Sequence, residues 1–438
     1  MANNDAKSQP FTALIEEATS RAPENTPSWL AELNMQAAKR YAQVGWPHAR
    51  AEYWKYTNLN KLAAGAFALG DPAALAAVPR ERILPLDGPQ LLLVNGAFRS
   101  DLSDISDLPD GLSLRNLAET TEQDRAILGA LIEETISADG LPFAAVNTAV
   151  LTDVLILEFA PGIATERPVH VISLGGGDGA AFAPRLVIRA GDGAVVDVVE
   201  SHVGTGGYFA DVVTQVSVAR DARLGHYKMQ NEALDAFHIA LTTTEVAEGA
   251  VYDSFVLSTG ARMARNEIRG TITGGKAEYR INGAYMGNGE QHLDNTTFVD
   301  HAAAGSRSRE IYKGVLAGAS RGVFQGKILV RPDAQQSDGF QMNRAMLLSN
   351  KAEVDSKPEL EIYADDVRCS HGATVGELEE EQLFYLQTRG IERNLARRLL
   401  VSAYIDEAID EVQNPAVKEA FKQMAAYWLS ENLTRNIR

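Results

Sequence analysis

The feature that most constrains the fold is a long series of short β-branched segments between residues 151 and 376, among them DVLILEF, VHVISL, RLVIRA, DVVTQVSVA and GVFQGKILV. Each segment is closed within a few residues by Gly, Asn, Asp or Pro, which is typical of strands joined by turns. We therefore predict one large all-β unit. A sandwich usually needs fewer strands, which leaves a barrel, a propeller or a stacked solenoid. No fixed repeat period is present, and an irregular solenoid tolerates that absence best.

Helical patterns flank this β unit on both sides. Residues 1–80 and 377–438 place apolar residues three and four positions apart, whereas residues 81–150 mix a strand-like run with a helical stripe. We predict four regions in the order helical, mixed, β and helical. Residues 51–62, AEYWKYTNLNKL, carry three aromatic residues within five positions and are interpreted as a segment packed against the rest of the chain.

The charge and the cysteine content exclude several classes of protein. The 438 residues include 41 basic and 58 acidic side chains, and the net charge of −17 would repel nucleic acid and anionic membranes. No apolar run approaches the roughly 18 residues of a membrane span. The single cysteine rules out an internal disulfide, and no secretory signal is recognisable at the N-terminus. We expect a cytoplasmic protein with a protein or small-molecule partner.

Two glycine-rich motifs resemble nucleotide-binding loops but lack their context. GTITGGKA, residues 270–277, ends in Ala277 where a magnesium-binding hydroxyl is required, and a strand-like run follows it. GGGDGA, residues 175–180, leads to Pro184 instead of a helix. His292 and His301 are nine positions apart, which matches no recognisable metal motif. We therefore predict no self-contained catalytic machinery.

The segment DDVRCSHGATVG, residues 365–376, holds the only cysteine. If it forms a strand, Cys369 and His371 share one face about 7 Å apart. Thiolate and imidazole suit iron, zinc and copper, but two ligands cannot complete a four-ligand site, so the others would come from elsewhere or from another chain. The alternative is a small buried thiol beside a locally hydrogen-bonded histidine. Asp365 and Asp366 are interpreted as turn residues.

Four stretches resemble the SufB/SufD family, the scaffold subunits of the SUF iron–sulfur cluster assembly system. They are residues 45–62, 308–330, 334–358 and 357–391. The resemblance is densest over residues 290–400. It implies a mainly β fold, a right-handed parallel β-helix flanked by N-terminal and C-terminal α-helical regions. SufB chains are usually longer and contain several cysteines, so this chain is more similar to the SufD branch of the family.

The resemblance also implies a non-catalytic scaffold that forms a heterodimer with SufB. His371 matches the family histidine implicated where the nascent cluster forms at the SufB interface, and Cys369 would be an auxiliary ligand or a structural thiol. The cluster would be transient and shared with SufB, not tightly bound by this chain alone. The C-terminal helices would hold SufC, the ATPase of the system.

Two alternatives remain open at this point. Parallel β-helices also occur in polysaccharide-active enzymes, and Arg265, Arg269 and Lys276 could serve such a site together with carboxylates. A homodimer acting as an iron-delivery module is the other alternative.

Overall fold

The computed structural model describes residues 9–20, 27–47, 51–137 and 140–433. Within these residues the N-terminal part contains five helices, with 3-10 turns at Glu52–Trp54, Arg80–Arg82 and Leu117–Glu119. The helices are α1 (Thr12–Ser20), α2 (Ser28–Val44), α3 (Asn60–Ala63), α4 (Glu122–Ser137) and α5 (Pro142–Ala149). Four short strands lie among them: β1 (Ala68–Leu69), β2 (Gln90–Val94), β3 (Ala97–Phe98) and β4 (Leu112–Asn116).

Seventeen strands then follow one another without an intervening helix. They are β5 (Leu155–Phe159), β6 (Val169–Gly176), β7 (Ala180–Phe182), β8 (Arg185–Ala190), β9 (Val195–Thr205), β10 (Phe209–Val218), β11 (Arg223–Asn231), β12 (Phe237–Val246), β13 (Val251–Ser258), β14 (Met263–Ile272), β15 (Glu278–Gly287), β16 (His292–His301), β17 (Arg307–Leu316), β18 (Arg321–Val330), β19 (Asp338–Leu347), β20 (Glu353–Ile362) and β21 (Arg368–Glu377).

Successive long strands alternate between two parallel sheets. The first sheet runs through β5, β8, β10 and every second strand to β20, and the second runs through β6, β9, β11 and every second strand to β21. Each coil therefore contributes one strand to each sheet, and about eight coils stack along one axis. This confirms the predicted mainly β fold with a parallel solenoid and flanking helices.

The length of a coil varies, which explains why the sequence has no fixed period. Phe237 lies beside Met263, 26 residues later, whereas Arg321 lies beside Glu353, 32 residues later. Turns of different length absorb the difference while the strands stay in register. A repeat is therefore present in the backbone but not in the spacing of the sequence.

The interior between the sheets is filled by alternate residues of each strand. Val198, Ile281 and Val299 are completely buried in the main core cluster, and complete burial of such a side chain contributes about 1.5–3 kcal/mol. The β-branched residues that made the sequence pattern visible are thus the ones that hold the coils together.

The two ends of the solenoid differ. At the N-terminal end, β3 and β4 pair antiparallel with β2 and β5, and a helical cluster covers the outer face of the first sheet. At the C-terminal end, β20 pairs only with β18 and β21 only with β19 among the described residues. The last coil therefore leaves two ten-residue strand edges free.

Three helices close the chain: α6 (Glu380–Thr388), α7 (Arg393–Ile409) and α8 (Pro415–Leu433). The last two pack on the outer face of the second sheet, where the rings of Phe255 and Phe421 lie 5.5 Å apart. Lys313 anchors α7 by donating to the Tyr404 carbonyl at 3.2 Å and pairing with Glu407. In the parts of the chain that the structure describes, no helix combines the length and apolarity required to cross a membrane.

Candidate functional site at the open end of the solenoid

Cys369 and His371 lie on β21, the last strand of the second sheet. They pair in register with Gly339 and Gln341 of β19, whose side of that strand faces the buried interior. Cys369 and His371 therefore share the inward-facing side, as the strand periodicity predicted, with Cα atoms about 7 Å apart. Because β21 is the terminal strand of the second sheet, no further coil stacks on it, and the end of the solenoid interior beside these two residues is open.

Cys369 is half-buried and packs against the solenoid core, as do Leu360 and Val367. Gly339 opposite leaves room for the thiol, since a Cβ there would lie only 3.4 Å from the sulfur. Burial raises the pKa of the Cys369 thiol, although a backbone hydrogen bond from Gly339 opposes the shift. The thiol is thus protonated at neutral pH, and binding to a metal must displace that proton.

His371 is exposed, and a row of polar side chains continues inward from it. The first is Gln341, which is fully buried and donates to the Glu359 carbonyl at 3.0 Å. The next is Glu310, in register with Gln341 on β17 and also fully buried. Thr297 donates to Glu310, but burial dominates and raises the pKa of this carboxyl to about 8. His371 therefore lies at the mouth of a polar row within the solenoid.

Asp365 and Asp366 lie in the bend before β21 and are exposed. The carbonyl of Asp366 accepts from the Gln336 amide at 2.6 Å, and its own amide donates to Gln335. The position of both residues in a bend agrees with their interpretation as turn residues, and the contacts of Asp366 hold the turn.

Apolar groups accompany the free strand edges at this end. Ile362 is 41% exposed and Val375 is 51% exposed, although both continue the inward rows of β20 and β21. Their partners in the preceding coil, Val330 and Ala345, are buried. The open end thus presents a cross-section of the core bordered by unpaired backbone groups, which is typical of an interface.

The C-terminal helices carry a second exposed apolar surface. Phe384 and Tyr385 of α6 and Leu395 and Leu399 of α7 are all exposed, with Phe384 at 67%. We call these four residues the helical patch. A patch of aromatic and leucine side chains on a soluble domain commonly marks a protein interface.

Sequence reasoning missed a buried ionic cluster under residues 51–62. Arg265 is fully buried and bonds to Glu267 and Asp294, with its guanidinium 4.2 Å from the centre of the Trp54 ring. Thr57 donates to Asp294 and contacts His292 at 2.9 Å. The packed segment predicted from its aromatic residues is present. It is held by charged side chains on the outer face of β14 and β16, which no local sequence pattern indicates.

The cluster contradicts part of the interpretation of this chain as a polysaccharide-active enzyme. That interpretation required Arg265 and Arg269 to line an open groove, but Arg265 is enclosed by carboxylates and Trp54, and Arg269 pairs with Glu267 at 2.6 Å. Lys276 lies in the turn between β14 and β15. Arg265 is therefore inaccessible to a polymer.

The two histidines that the sequence left without a role also have structural partners. His301 is fully buried, and its ring nitrogens contact Ser306 at 2.7 Å and Ser308 at 2.8 Å. Burial lowers the pKa of His301 to about 4, so its ring is neutral. His292 is held by Thr57 in the cluster described above.

Comparison with known proteins identifies the family of the chain. Residues 172–404 match the family described as "SUF system FeS cluster assembly, SufBD core domain", and residues 5–171 match the "SufBD protein N-terminal region". The chain is 28% identical over 427 residues to an iron–sulfur cluster assembly SufBD family protein of Synechocystis, covering 94% of this chain and 93% of the relative. It is 29% identical over 420 residues to the iron–sulfur cluster assembly protein SufD of Escherichia coli, covering 92% of each. The chain therefore belongs to the SufBD family of iron–sulfur cluster assembly proteins.

Proposed function

We propose that this chain is a non-catalytic scaffold subunit that pairs with SufB and SufC to build and transfer nascent iron–sulfur clusters. The observation that carries the proposal is the open C-terminal end of the solenoid, where Cys369 and His371 lie beside two free strand edges. Membership of the SufBD family supplies the link to iron–sulfur clusters. The geometry supports an incomplete site that a second subunit completes.

SufB is the proposed partner at the open end. The edges of β20 and β21 offer unpaired backbone groups, and a second chain with a similar solenoid end can extend both sheets by hydrogen bonding. Val375 and Ile362 would then be buried as their counterparts in earlier coils are. Such pairing would bury the exposed apolar residues and provide hydrogen-bond partners for the unpaired strand edges in one contact.

The iron–sulfur cluster is the cargo of this interface. His371 offers an imidazole without any displacement of the backbone, and Cys369 offers a thiol that must first lose a proton. Two ligands from this chain leave a four-ligand site half complete, and clusters accept histidine in place of cysteine. We therefore assign the remaining ligands to SufB and expect the chain alone to hold a cluster only weakly.

SufC is the proposed partner of the helical patch on α6 and α7. Of the two helices that carry the patch, α7 is tied to the solenoid by Lys313, which is itself almost completely buried. A force applied to α7 is thus transmitted to β17, two strands from β21 within the same sheet. ATP hydrolysis by SufC could in this way act on the open end, with nucleotide chemistry residing in the partner.

The test is to purify the chain anaerobically from cells that also express SufB and SufC, as wild type and as His371→Ala. Iron and acid-labile sulfide are measured per complex. We expect the variant to retain both partners and to lose most of the cluster. Ser370→Ala is the control, because Ser370 is exposed on the same strand but faces the opposite side. A wild-type cluster content in His371→Ala would show that His371 is not a ligand.

A homodimer used for iron delivery is the second candidate, because the same open end can pair with its own copy. The mass of the native species, measured with and without co-expressed SufB, distinguishes the two. A dimer that persists when SufB is present in excess would favour the homodimer.

A further inference from the structure

The interior of the solenoid contains a second group of metal-binding side chains far from the open end. His202 lies on β9, Glu232 directly follows β11, and His238 lies on β12. One possible ligand atom from each lies within 4.8 Å of the other two. The three residues are 4%, 2% and 0% exposed. The strand of His202 is six neighbours away from β21 in the second sheet, about 29 Å at the usual strand spacing.

Stacking of the coils brings these residues together. Gln230 pairs in register with His202, and Glu232 follows it by two residues at the corner where the chain passes to the first sheet. His238 is the second residue of the next strand and is held against Glu232, with 2.7 Å between its Nδ1 and the carboxylate. The rings of His202 and His238 meet edge to face with centres 5.1 Å apart.

Each histidine has one ring nitrogen held by a carboxylate. Glu200 contacts Nε2 of His202 at 3.1 Å, and Glu232 contacts Nδ1 of His238. At His202 this is the usual arrangement of a metal-binding histidine, because Glu200 fixes the tautomer and leaves the other ring nitrogen as a ligand. At His238 the carboxylate is that of Glu232, which must leave Nδ1 before it can share a metal with Nε2. Nε2 of His238 has no hydrogen-bond partner within the described chain although it is buried. A buried imidazole nitrogen without a partner is costly unless it binds something.

The charges also favour a cation. Among the described residues, His238 is the only basic residue at ion-pair distance from Glu232, whereas Glu200 also has Lys228 at 3.7 Å.

We propose that His202, Glu232 and His238 bind one divalent transition-metal ion of the Fe²⁺ or Zn²⁺ class inside the solenoid. Two imidazoles and one carboxylate are a recognised donor set for both ions and leave coordination positions open. Ligand atoms on one metal are about 3.3 Å apart for bonds near 2 Å. Two ligand atoms that are now as much as 4.8 Å apart must therefore approach each other by about 1.5 Å when the metal binds. This inference does not depend on the function proposed for the open end.

The test uses the full chain with Cys369→Ser and His371→Ala, which removes the candidate ligands at the open end. The chelator-treated protein is titrated with Zn²⁺ against a chromophoric competitor, and anaerobically with Fe²⁺. We expect one ion per chain, and about 100-fold or greater loss of affinity in His238→Gln and Glu232→Gln. His301→Gln is the matched control, because His301 is equally buried but its two ring nitrogens contact Ser306 at 2.7 Å and Ser308 at 2.8 Å, away from the three proposed ligands.

Circular dichroism of each variant establishes that it is folded before titration, and Glu232→Asp provides a second variant that keeps the charge. Failure of the background protein to bind one ion would overturn the proposal. So would unchanged affinity in a folded His238→Gln, or an equal loss in His301→Gln. Loss of cluster in His371→Ala complexes with intact Zn²⁺ binding would separate the two sites.

Discussion

Replacing Glu310 by glutamine tests whether the polar row behind His371 carries a neutral acid. Burial raises the pKa of Glu310 from its ordinary 4.5 to about 8. Between these values an unfolded chain releases the proton while the folded chain keeps it, so stability falls as pH rises. From pH 5 to pH 7 this amounts to about 2.5 kcal/mol, since each pKa unit is worth about 1.36 kcal/mol. The glutamine in Glu310→Gln cannot ionise, so the variant lacks this pH-dependent contribution to the free energy of unfolding.

The assay is urea unfolding followed by circular dichroism at pH 5 and pH 7 for the wild type and the variant. We expect Glu310→Gln to gain roughly 2.5 kcal/mol relative to wild type between the two pH values. Other titrating groups are common to both proteins and cancel in that difference. Glu353→Gln serves as the control, because the Glu353 side chain is 71% exposed. Equal pH dependence in wild type and Glu310→Gln would refute a buried neutral carboxyl.

Two further predictions concern the ionic cluster and the open end. Asp294→Ala should lower the free energy of unfolding by about 3–5 kcal/mol in urea unfolding, because Arg265 loses a fully buried partner. The control Asp235→Ala breaks an exposed ion pair and should cost under about 1 kcal/mol. Similar losses in both variants would contradict the argument. Val375→Asp should weaken association with SufB roughly 30-fold in a binding titration, which corresponds to about 2 kcal/mol. The control Leu75→Asp, at an exposed site elsewhere, should have no effect. Equal affinities of the two variants would exclude the open end as the interface.

Much of the fold could be predicted because the solenoid repeats one physical requirement in each coil. Strands such as Arg185–Ala190 and Val195–Thr205 need β-branched residues to fill the space between two sheets, and turns need residues that end a strand. Those requirements appear directly in the sequence. The shared face of Cys369 and His371 was predictable for the same reason, since it follows from strand periodicity alone.

The asymmetry of the two ends was less accessible. The sequence of β20, EVDSKPELEI, is rich in charged residues and contains Pro358, which is typical of an edge strand, but this composition does not show that both sheets end in the same coil. Exposure of Val375 depends on what stacks above it, which is a property of the whole chain. The pattern therefore predicted the β unit as a whole but not the surface that its last coil leaves open.

The interior metal-binding group shows the limit of reading motifs along one dimension. His202 and Glu232 are 30 positions apart, and Glu232 and His238 are six apart, which matches no local ligand spacing. A parallel solenoid converts a separation of one coil into one strand spacing of about 4.8 Å, so the relevant period is the coil length. That length varies from 26 to 32 residues between the pairs Phe237–Met263 and Arg321–Glu353. Polar residues that meet inside such a fold can be recognised only once the register of the coils is known.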